Sequence, residues 1–140
     1  MRVLALDVGT VRIGVAVSDP LGISAQPVDT IQVQGRKKDA TLVLEFLDEL
    51  EAQSIVIGLP LSMNGSENEA TRIARRFGEE LERQRSDLVV EFQDERFTTA
   101  QAERVLIESG MRRKKRKQYV DRTAAVLILQ AWLDSRPMEF

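Results

Sequence analysis

The stretch VLALDVGTVRIGVAVSD, residues 3–19, decides how the fold begins. Val3–Asp7 is a short apolar run, which is typical of a buried strand. From Arg12 to Asp19, branched apolar residues alternate with smaller ones, and this period of two predicts a second strand. Gly9-Thr10 between the two runs suits a tight hairpin turn. The chain is therefore expected to start with an antiparallel hairpin.

The rest of the chain predicts helices and further strands within a single domain, residues 1–140. Val28–Val33 indicates a weaker third strand towards an edge, and Lys38–Ala52 carries the apolar stripe of a helix. The later predicted elements are a strand at Ser54–Leu59, a helix capped by the S-x-x-E spacing of Ser66–Glu69, a strand at Leu88–Phe92, and helices at about 99–109 (ending at Gly110) and about 120–135. This order predicts an α/β fold, a mixed sheet of about five strands, three antiparallel and then parallel, with helices on both faces.

The composition excludes several kinds of chemistry. Among the 140 residues there is no cysteine and no histidine. Thiolate nucleophiles, the Ser-His-Asp triad and the usual zinc ligands are therefore absent. Hydrolysis near neutral pH would depend on carboxylates, lysines or oxygen-ligated metals, and the hard cations Mg²⁺ and Mn²⁺ fit that inventory. No apolar run approaches the ~20 residues of a membrane span, and no targeting segment is visible, so we expect a cytoplasmic protein without a membrane partner.

Acidic residues fall at three places that the predicted sheet should bring together. Asp7 ends the first strand, Asp94 and Glu95 end the last strand, and Asp121 opens the final helix. Each has an ordinary explanation: a turn aspartate for Asp7, a solvated pair beside Arg96 for Asp94-Glu95, and a favourable helix dipole for Asp121. Their joint placement favours a site where carboxylates hold two Mg²⁺ or Mn²⁺ ions on either side of a scissile phosphate.

The basic residues are unevenly distributed. Six of the twenty form the run Arg112–Lys117, which leaves fourteen against 22 acidic residues in the rest of the chain. Such a run is usually a solvated flexible segment, but a mobile loop that clamps a nucleic-acid backbone is the alternative. Ordinary alternatives also apply outside the run: an ion pair for Arg12, an Asn-Gly turn for Asn64 and a helix cap for Thr98. The candidate substrate-binding residues are Arg12, Asn64, Arg96, Thr98, Arg113, Lys114, Lys115, Arg116 and Lys117.

Four segments resemble, in order, the motifs of one family. The segment DVGTVRIGVA, residues 7–16, resembles the opening motif of the YqgF family, also called RuvX. The later matches are Gly58-Leu59-Pro60-Leu61 with Met63, Asn64 and Gly65; Asp94–Thr99 with Ala102; and Asp121 with Ala124-Ala125 and Ile128-Leu129. The resemblance implies a ribonuclease-H-like fold and makes Asp7, Glu95 and Asp121 the catalytic and metal-binding acids. Asp94 is an additional candidate ligand, although only one of two adjacent acids on an extended segment should face the metals.

The resemblance implies a cytoplasmic bacterial nuclease that matures the 5′ end of pre-16S rRNA, with ribosomal precursor particles as partners. The alternative is a Holliday junction resolvase acting on branched DNA, but RuvC-type resolvases carry a second acid where this chain has Ala124. A hypothesis from another functional class is a non-catalytic RNA-binding factor, in which the acidic residues have only structural roles. A nucleotide-binding fold of the actin/Hsp70 kind would need two such domains, and 140 residues accommodate one. The sequence leaves open whether the protein is a monomer or a homodimer.

Overall fold

The sheet and helices are defined by a computed structural model that describes residues 2–97 and 113–136, with side chains for residues 2–96 and 124–136. The strands are β1 (Arg2–Val8), β2 (Arg12–Ser18), β3 (Ala25–Gln32), β4 (Ala52–Leu59) and β5 (Val89–Asp94); the helices are α1 (Arg36–Glu49), α2 (Glu69–Gln84) and α3 (Arg113–Ser135). A single 3₁₀ turn, Glu95–Phe97, follows β5. The helix expected over 99–109, with its cap at Gly110, lies outside the described residues.

The five strands form one mixed sheet in the order β3-β2-β1-β4-β5. The first three strands are antiparallel, and β4 and β5 run parallel to β1. The predicted fold class is therefore confirmed, including the position of β3 at an edge. Because β1, β4 and β5 run in the same direction, their carboxyl ends meet at one end of the sheet. This is the end where Asp7 and Asp94-Glu95 lie.

Helices cover both faces of the sheet. Leu4 and Leu6 of β1 pack in the core beneath α1 and α2, whereas Val3 and Ala5 pack in a second core beneath α3. Side chains alternate between the two faces of a strand, so Asp7 shares the α3 face with Val3 and Ala5. The strand pattern of β1 thus decides which helix the Asp7 carboxylate faces.

The prediction for the final helix was wrong at its start. It begins at Arg113, not near Val120, so Arg113–Lys117 form its first turns instead of a mobile loop. Asp121 consequently lies two turns inside the helix rather than at its opening. Lysine and arginine are good helix formers, and neither glycine nor proline interrupts residues 113–135, which explains why the helix extends through the charge run.

The N-terminus of α2 is capped by a different residue from the predicted one. Asn68 accepts a hydrogen bond from the Thr71 amide, and the Asn68 amide donates to the Thr71 hydroxyl, so Asn68–Thr71 form the capping box instead of Ser66–Glu69. Asn68 has the same three-residue spacing to its partner and is as good a cap as serine. The hydroxyl of Ser66 instead donates to the side chain of Asn64.

Smaller differences concern element boundaries. The predicted helix at Lys38–Ala52 runs from Arg36 to Glu49, and Ala52 begins β4 instead. The third strand starts at Ala25 and includes Pro27, which an edge strand tolerates because one side of it has no pairing partner. Within the described residues, no helix is both long enough and apolar enough to cross a membrane.

Candidate active site

Asp7 lies at the carboxyl end of β1 between two glycines of neighbouring strands. Its partner across the β1–β2 pair is Gly14. On the other side, the β1–β4 pairing reaches Leu6 and Ile57, and Gly58 is the next residue of β4. Asp7 is partly buried. Because neither glycine carries a side chain, the space on both sides of the Asp7 carboxylate is left to other groups.

Glu95 approaches the same face from the turn after β5. It is only 2% exposed, which is exceptional for a carboxylate. A β-carbon built on Gly58 would lie 3.2 Å from Cδ of Glu95 and would overlap the Cδ1 methyl of Ile128 in α3. The Glu95 side chain therefore lies over Gly58, between β4 and α3, on the same face of the sheet as Asp7.

Asp94, the neighbour of Glu95, is engaged elsewhere. It stands opposite Leu59, which packs in the α1–α2 core, and its carboxylate forms an ion pair with Arg96 at 2.8 Å. The hydrogen bonds from the Arg96 side chain and the Arg96 amide hold the pKa of Asp94 below its usual value. The ordinary explanation considered for the two acids was a solvated pair beside Arg96. Asp94 does pair with Arg96, whereas the burial of Glu95 shows that this second acid is not solvated.

Arg96 also ties the end of β5 to the loop after β4. Its guanidinium donates to the Met63 carbonyl at 3.1 Å. Asn64 accepts hydrogen bonds from both the amide and the hydroxyl of Ser66, and Gly65 adopts a φ of +88°. The oxygen of Asn64 is therefore used to close its own turn, as the Asn-Gly alternative predicted. The candidate phosphate contact from Asn64 would have to come from its amide nitrogen.

Arg12 begins β2 at the same end of the sheet. None of the ion pairs among residues 2–96 and 124–136 involves Arg12. Its Nε is buried without a hydrogen-bond partner among those residues. A buried guanidinium nitrogen in this state loses its hydration without replacement, which favours an external acceptor.

The remaining candidate residues lie on or before α3. Asp121 precedes Ala124 and Ala125 by about one turn, and both alanines are fully buried in the helix–sheet contact. The side chain of Asp121 and those of Arg113–Lys117 are outside the described part of the structure, and so is Thr98. Among the side chains that are described, no three acidic residues form a group that could hold a metal.

The donor set nevertheless suits hard cations. Asp7 and Glu95 offer carboxylate oxygens, the ligands that Mg²⁺ and Mn²⁺ prefer. Asp121 would supply the third from the helix above this face. The structure thus places Asp7 and Glu95 on the same face of the sheet and Asp94 on the other, and Asp121 belongs to the helix that covers the Asp7 face.

Gly58 is a residue whose role sequence reasoning missed. It was noticed only as part of a motif, but its lack of a side chain lets both Glu95 and α3 approach β4. The available signal was an isolated glycine in the otherwise branched, apolar strand SIVIGL, since such glycines mark a close approach of another group.

Two solved structures of Holliday junction proteins share this fold. Thermus thermophilus RuvC in complex with a Holliday junction substrate is 12% identical, with a TM-score of 0.57 and coverage of 96% of this chain and 97% of that one. The fowlpox virus Holliday junction resolvase is 14% identical, with a TM-score of 0.54 and coverage of 97% and 100%. At such low identity these likenesses establish the fold, a ribonuclease-H-like sheet with helices on both faces.

Sequence comparison then identifies the family. The family model RuvX, described as "Holliday junction resolvase", matches residues 1–135. A Lactococcus lactis protein named "Putative pre-16S rRNA nuclease" is 46% identical over 140 residues, covering 99% of this chain and 97% of its own. A protein of the same name from Koribacter versatilis is 47% identical over 138 residues, covering 99% and 90%. The chain belongs to the RuvX family, which confirms the resemblance found in its motifs.

Proposed function

We propose that this protein is a metal-dependent endonuclease that hydrolyses phosphodiester bonds of nucleic acid, with Asp7, Glu95 and Asp121 as its catalytic acids. The observation that carries the proposal is that Asp7 and the buried Glu95 lie on the same face of the sheet, beside Gly58. Carboxylate oxygens are the ligands that Mg²⁺ and Mn²⁺ prefer. Membership of the RuvX family supports the same conclusion.

Mg²⁺ or Mn²⁺ would be held by the oxygens of Asp7, Glu95 and Asp121. When bound, such ions activate the attacking water and neutralise charge on the phosphate and the leaving oxygen. The chain itself positions these groups. The Asp94–Arg96 ion pair fixes the turn that carries Glu95. Arg12, whose Nε has no hydrogen-bond partner among the described side chains, and the basic first turns of α3 would bind backbone phosphates. Such contacts orient a nucleic acid without reading its sequence.

The substrate we propose is the 5′ end of pre-16S rRNA, processed in the bacterial cytoplasm, with ribosomal precursor particles as partners. The names of the Lactococcus and Koribacter relatives support this choice. At the position of the second acid of RuvC-type enzymes this chain has Ala124, which is fully buried in α3 and carries no carboxylate. We treat the chain as one domain that acts as a monomer or a homodimer.

Cleavage of branched DNA is the second candidate, favoured by the description of the family as a Holliday junction resolvase. A four-way junction has two-fold symmetry, so paired cleavage calls for a symmetric dimer. A protein that stays monomeric on junction DNA and nicks it at one site only would contradict this candidate.

A side-by-side cleavage assay tests both candidates. Wild-type protein is incubated with pre-16S rRNA and with junction DNA, with and without Mn²⁺, alongside Asp7→Asn, Glu95→Gln and Asp121→Asn. We expect each variant to lose at least about a hundredfold in rate, because the ions supply several kcal/mol of transition-state stabilisation. Calorimetric titration with Mn²⁺ should show weaker binding by the same variants.

Asp87→Asn is the matched control. Asp87 is an exposed acid in the loop that precedes β5, at the opposite end of that strand from Glu95. It should leave both cleavage and Mn²⁺ affinity unchanged. Full cleavage by Asp7→Asn would refute the assignment of the site, and a wild-type protein that neither binds Mn²⁺ nor cleaves either substrate would favour a non-catalytic RNA-binding factor with structural acids.

A further inference from the structure

A cavity lies at the same end of the sheet as Asp7 but on the opposite face. Its volume is about 220 Å³, and its walls include Val8 and Ile13 of the first hairpin, Val33 before α1 and Phe77 of α2. Val8 directly follows Asp7 in β1, so the two side chains leave the strand on opposite faces. The turn between β1 and β2 is therefore a narrow ridge that separates the candidate active site from this cavity.

The lining of the cavity combines apolar walls with a few polar groups at its rim. Thr10 and Arg36, both exposed residues, contribute a hydroxyl and a guanidinium. The cavity is smaller than the ~300–1,000 Å³ of pockets that enclose drug-sized ligands. It therefore has room for one ring system and not for a whole nucleotide. A planar heteroaromatic ring, with apolar faces and hydrogen-bonding edges, matches this combination.

The rim is held in place by the protein's own hydrogen bonds. The Gly9 amide donates to the Arg12 carbonyl at 2.9 Å, and the Val33 amide donates to the Val11 carbonyl at 2.9 Å. The buried carboxylate of Asp39 accepts hydrogen bonds from the amides of Gln34 and Gly35, just before α1. The hairpin and the start of α1 are thereby fixed to each other, so the cavity is formed before any ligand arrives.

We propose that this cavity receives an unpaired nucleobase of the strand whose phosphate lies at Asp7. The inference rests on the proposed nuclease function and deepens it. A strand that crosses the hairpin ridge would have a phosphate on the Asp7 side and a neighbouring base on the Val8 side. Unstacked bases in loops, bulges and ends of RNA can enter such a cavity, whereas bases within a duplex cannot. The enzyme would accordingly select cleavage sites beside an unpaired nucleotide.

Methyl NMR tests base binding without cleavage. Adenosine or uridine 5′-monophosphate is added to metal-free Asp7→Asn protein, and the methyl resonances of Val8, Ile13 and Val33 are followed. We expect saturable shifts at these three residues and none at Val89, an exposed valine of β5. Cavity methyl groups that do not move at millimolar nucleotide would overturn the proposal.

A matched pair of substitutions tests the cavity with a polymer. Val33→Trp places a large ring at the cavity mouth, and Val89→Trp adds the same ring elsewhere; the two valines are 37% and 55% exposed. In the Asp7→Asn background, Val33→Trp should weaken binding of single-stranded RNA about tenfold, the loss expected when one base can no longer stack or bury. Val89→Trp should bind like the parent, and equal affinities for the two variants would contradict the proposal.

The outcomes separate this proposal from the nuclease assignment. If nucleotides shift the cavity methyl groups but the wild-type protein cleaves neither RNA nor DNA, the nuclease function fails and the base site stands. If the wild-type protein cleaves but nucleotides do not shift the methyl resonances of the cavity and Val33→Trp binds RNA normally, the base site is refuted and the nuclease function stands.

Discussion

At the scale of single residues, the candidate site depends on two glycines without side chains as much as on its acidic residues. Gly14 and Gly58 flank Asp7 and contribute no side chain to the α3 face. Glu95 uses the space over Gly58, and Ile128 of α3 packs into the same place. A single methyl group added at Gly58 would therefore disturb the site, although Gly58 itself takes no part in the reaction.

Gly58→Ala should damage the site more than the fold. The added methyl group must displace Ile128 or the Glu95 carboxylate, and such overpacking costs about 1–3 kcal/mol of unfolding free energy. We expect Mn²⁺ affinity and cleavage rate to fall together, as measured by calorimetry and by the rRNA assay.

Gly78→Ala is the control for that substitution. A β-carbon at Gly78, in α2, would lie 2.9 Å from the Phe92 ring on the other face of the sheet. It should strain packing to a similar extent, offset in part by the higher helix propensity of alanine, without changing Mn²⁺ affinity. If both variants lost Mn²⁺ affinity equally, a specific role of Gly58 at the site would be excluded.

The Asp94–Arg96 pair makes a prediction about pH. Hydrogen bonds from Arg96 lower the pKa of Asp94 in the folded protein, so the pair stabilises the fold above the unfolded pKa of about 3.8 and loses this contribution as the pH falls through the folded value. A double-mutant cycle with Asp94→Asn and Arg96→Gln should give a coupling of about 0.5–1 kcal/mol at pH 7. The coupling, measured by urea unfolding, should decrease below pH 4. A coupling energy that increases as the pH falls would contradict a lowered pKa for Asp94.

At the scale of elements, hydrogen bonds at the termini decide where a helix begins. The side chain of Asn68 caps α2 and also donates to the Pro60 carbonyl and the Ser62 hydroxyl, so it joins the helix to the loop after β4. Ser66 is also a favourable N-cap residue with the same three-residue spacing to its partner, but its hydroxyl is used within the turn. Ser66 and Asn68 are both suitable N-cap residues, and tertiary contacts determine that Asn68 caps the helix.

Asn68→Ala should destabilise the protein by about 1 kcal/mol or more, the usual cost of removing an asparagine cap. Ser66→Ala, which removes the cap that the sequence pattern predicted, should cost less than about 0.5 kcal/mol, as most surface substitutions do. Urea unfolding of the two variants compares them directly. A larger loss for Ser66→Ala would show that the sequence pattern had identified the cap correctly.

At the scale of the whole molecule, charge is segregated. The chain is acidic outside the basic run, and the structure places most of that run in the first turns of α3, on the helix that covers the Asp7 face. A helical segment holds its backbone in a defined place, unlike a mobile loop. The acidic body would repel a polyanion elsewhere and favour approach along this side.

Neutralising part of the basic helix should reduce the salt dependence of binding. We expect Arg113→Gln with Arg116→Gln, in the inactive Asp7→Asn background, to lower the slope of log affinity against log salt by about 0.7 per lost contact with single-stranded RNA. Fluorescence anisotropy at several salt concentrations measures that slope.

Arg83→Gln with Arg85→Gln provides the comparison for the salt experiment. These arginines lie at the end of α2 and pair with Glu80 and Asp48, in the half of the molecule away from the strand ends that carry Asp7 and Glu95. Their removal should leave the slope unchanged. An equal decrease for both pairs would mean that binding follows net charge alone and not the placement of the basic helix.

Local patterns in the sequence determined the strands, the central helices, the mixed sheet and the candidate acids, because burial on one face imposes a period of two on strands and of 3.6 on helices. Only the tertiary structure decided that Glu95 and not Asp94 lies on the Asp7 face of the sheet, that Asn68 caps α2, that the basic run is helical, and that Gly58 makes room for Glu95 and α3. These outcomes depend on contacts between residues distant in sequence. Arg96 donates a hydrogen bond to the Met63 carbonyl, Ile128 packs over Gly58, and the Asn68 side chain donates to the Pro60 carbonyl. Residue type and spacing specify what each side chain can do, but the choice among available partners is made when the elements pack together.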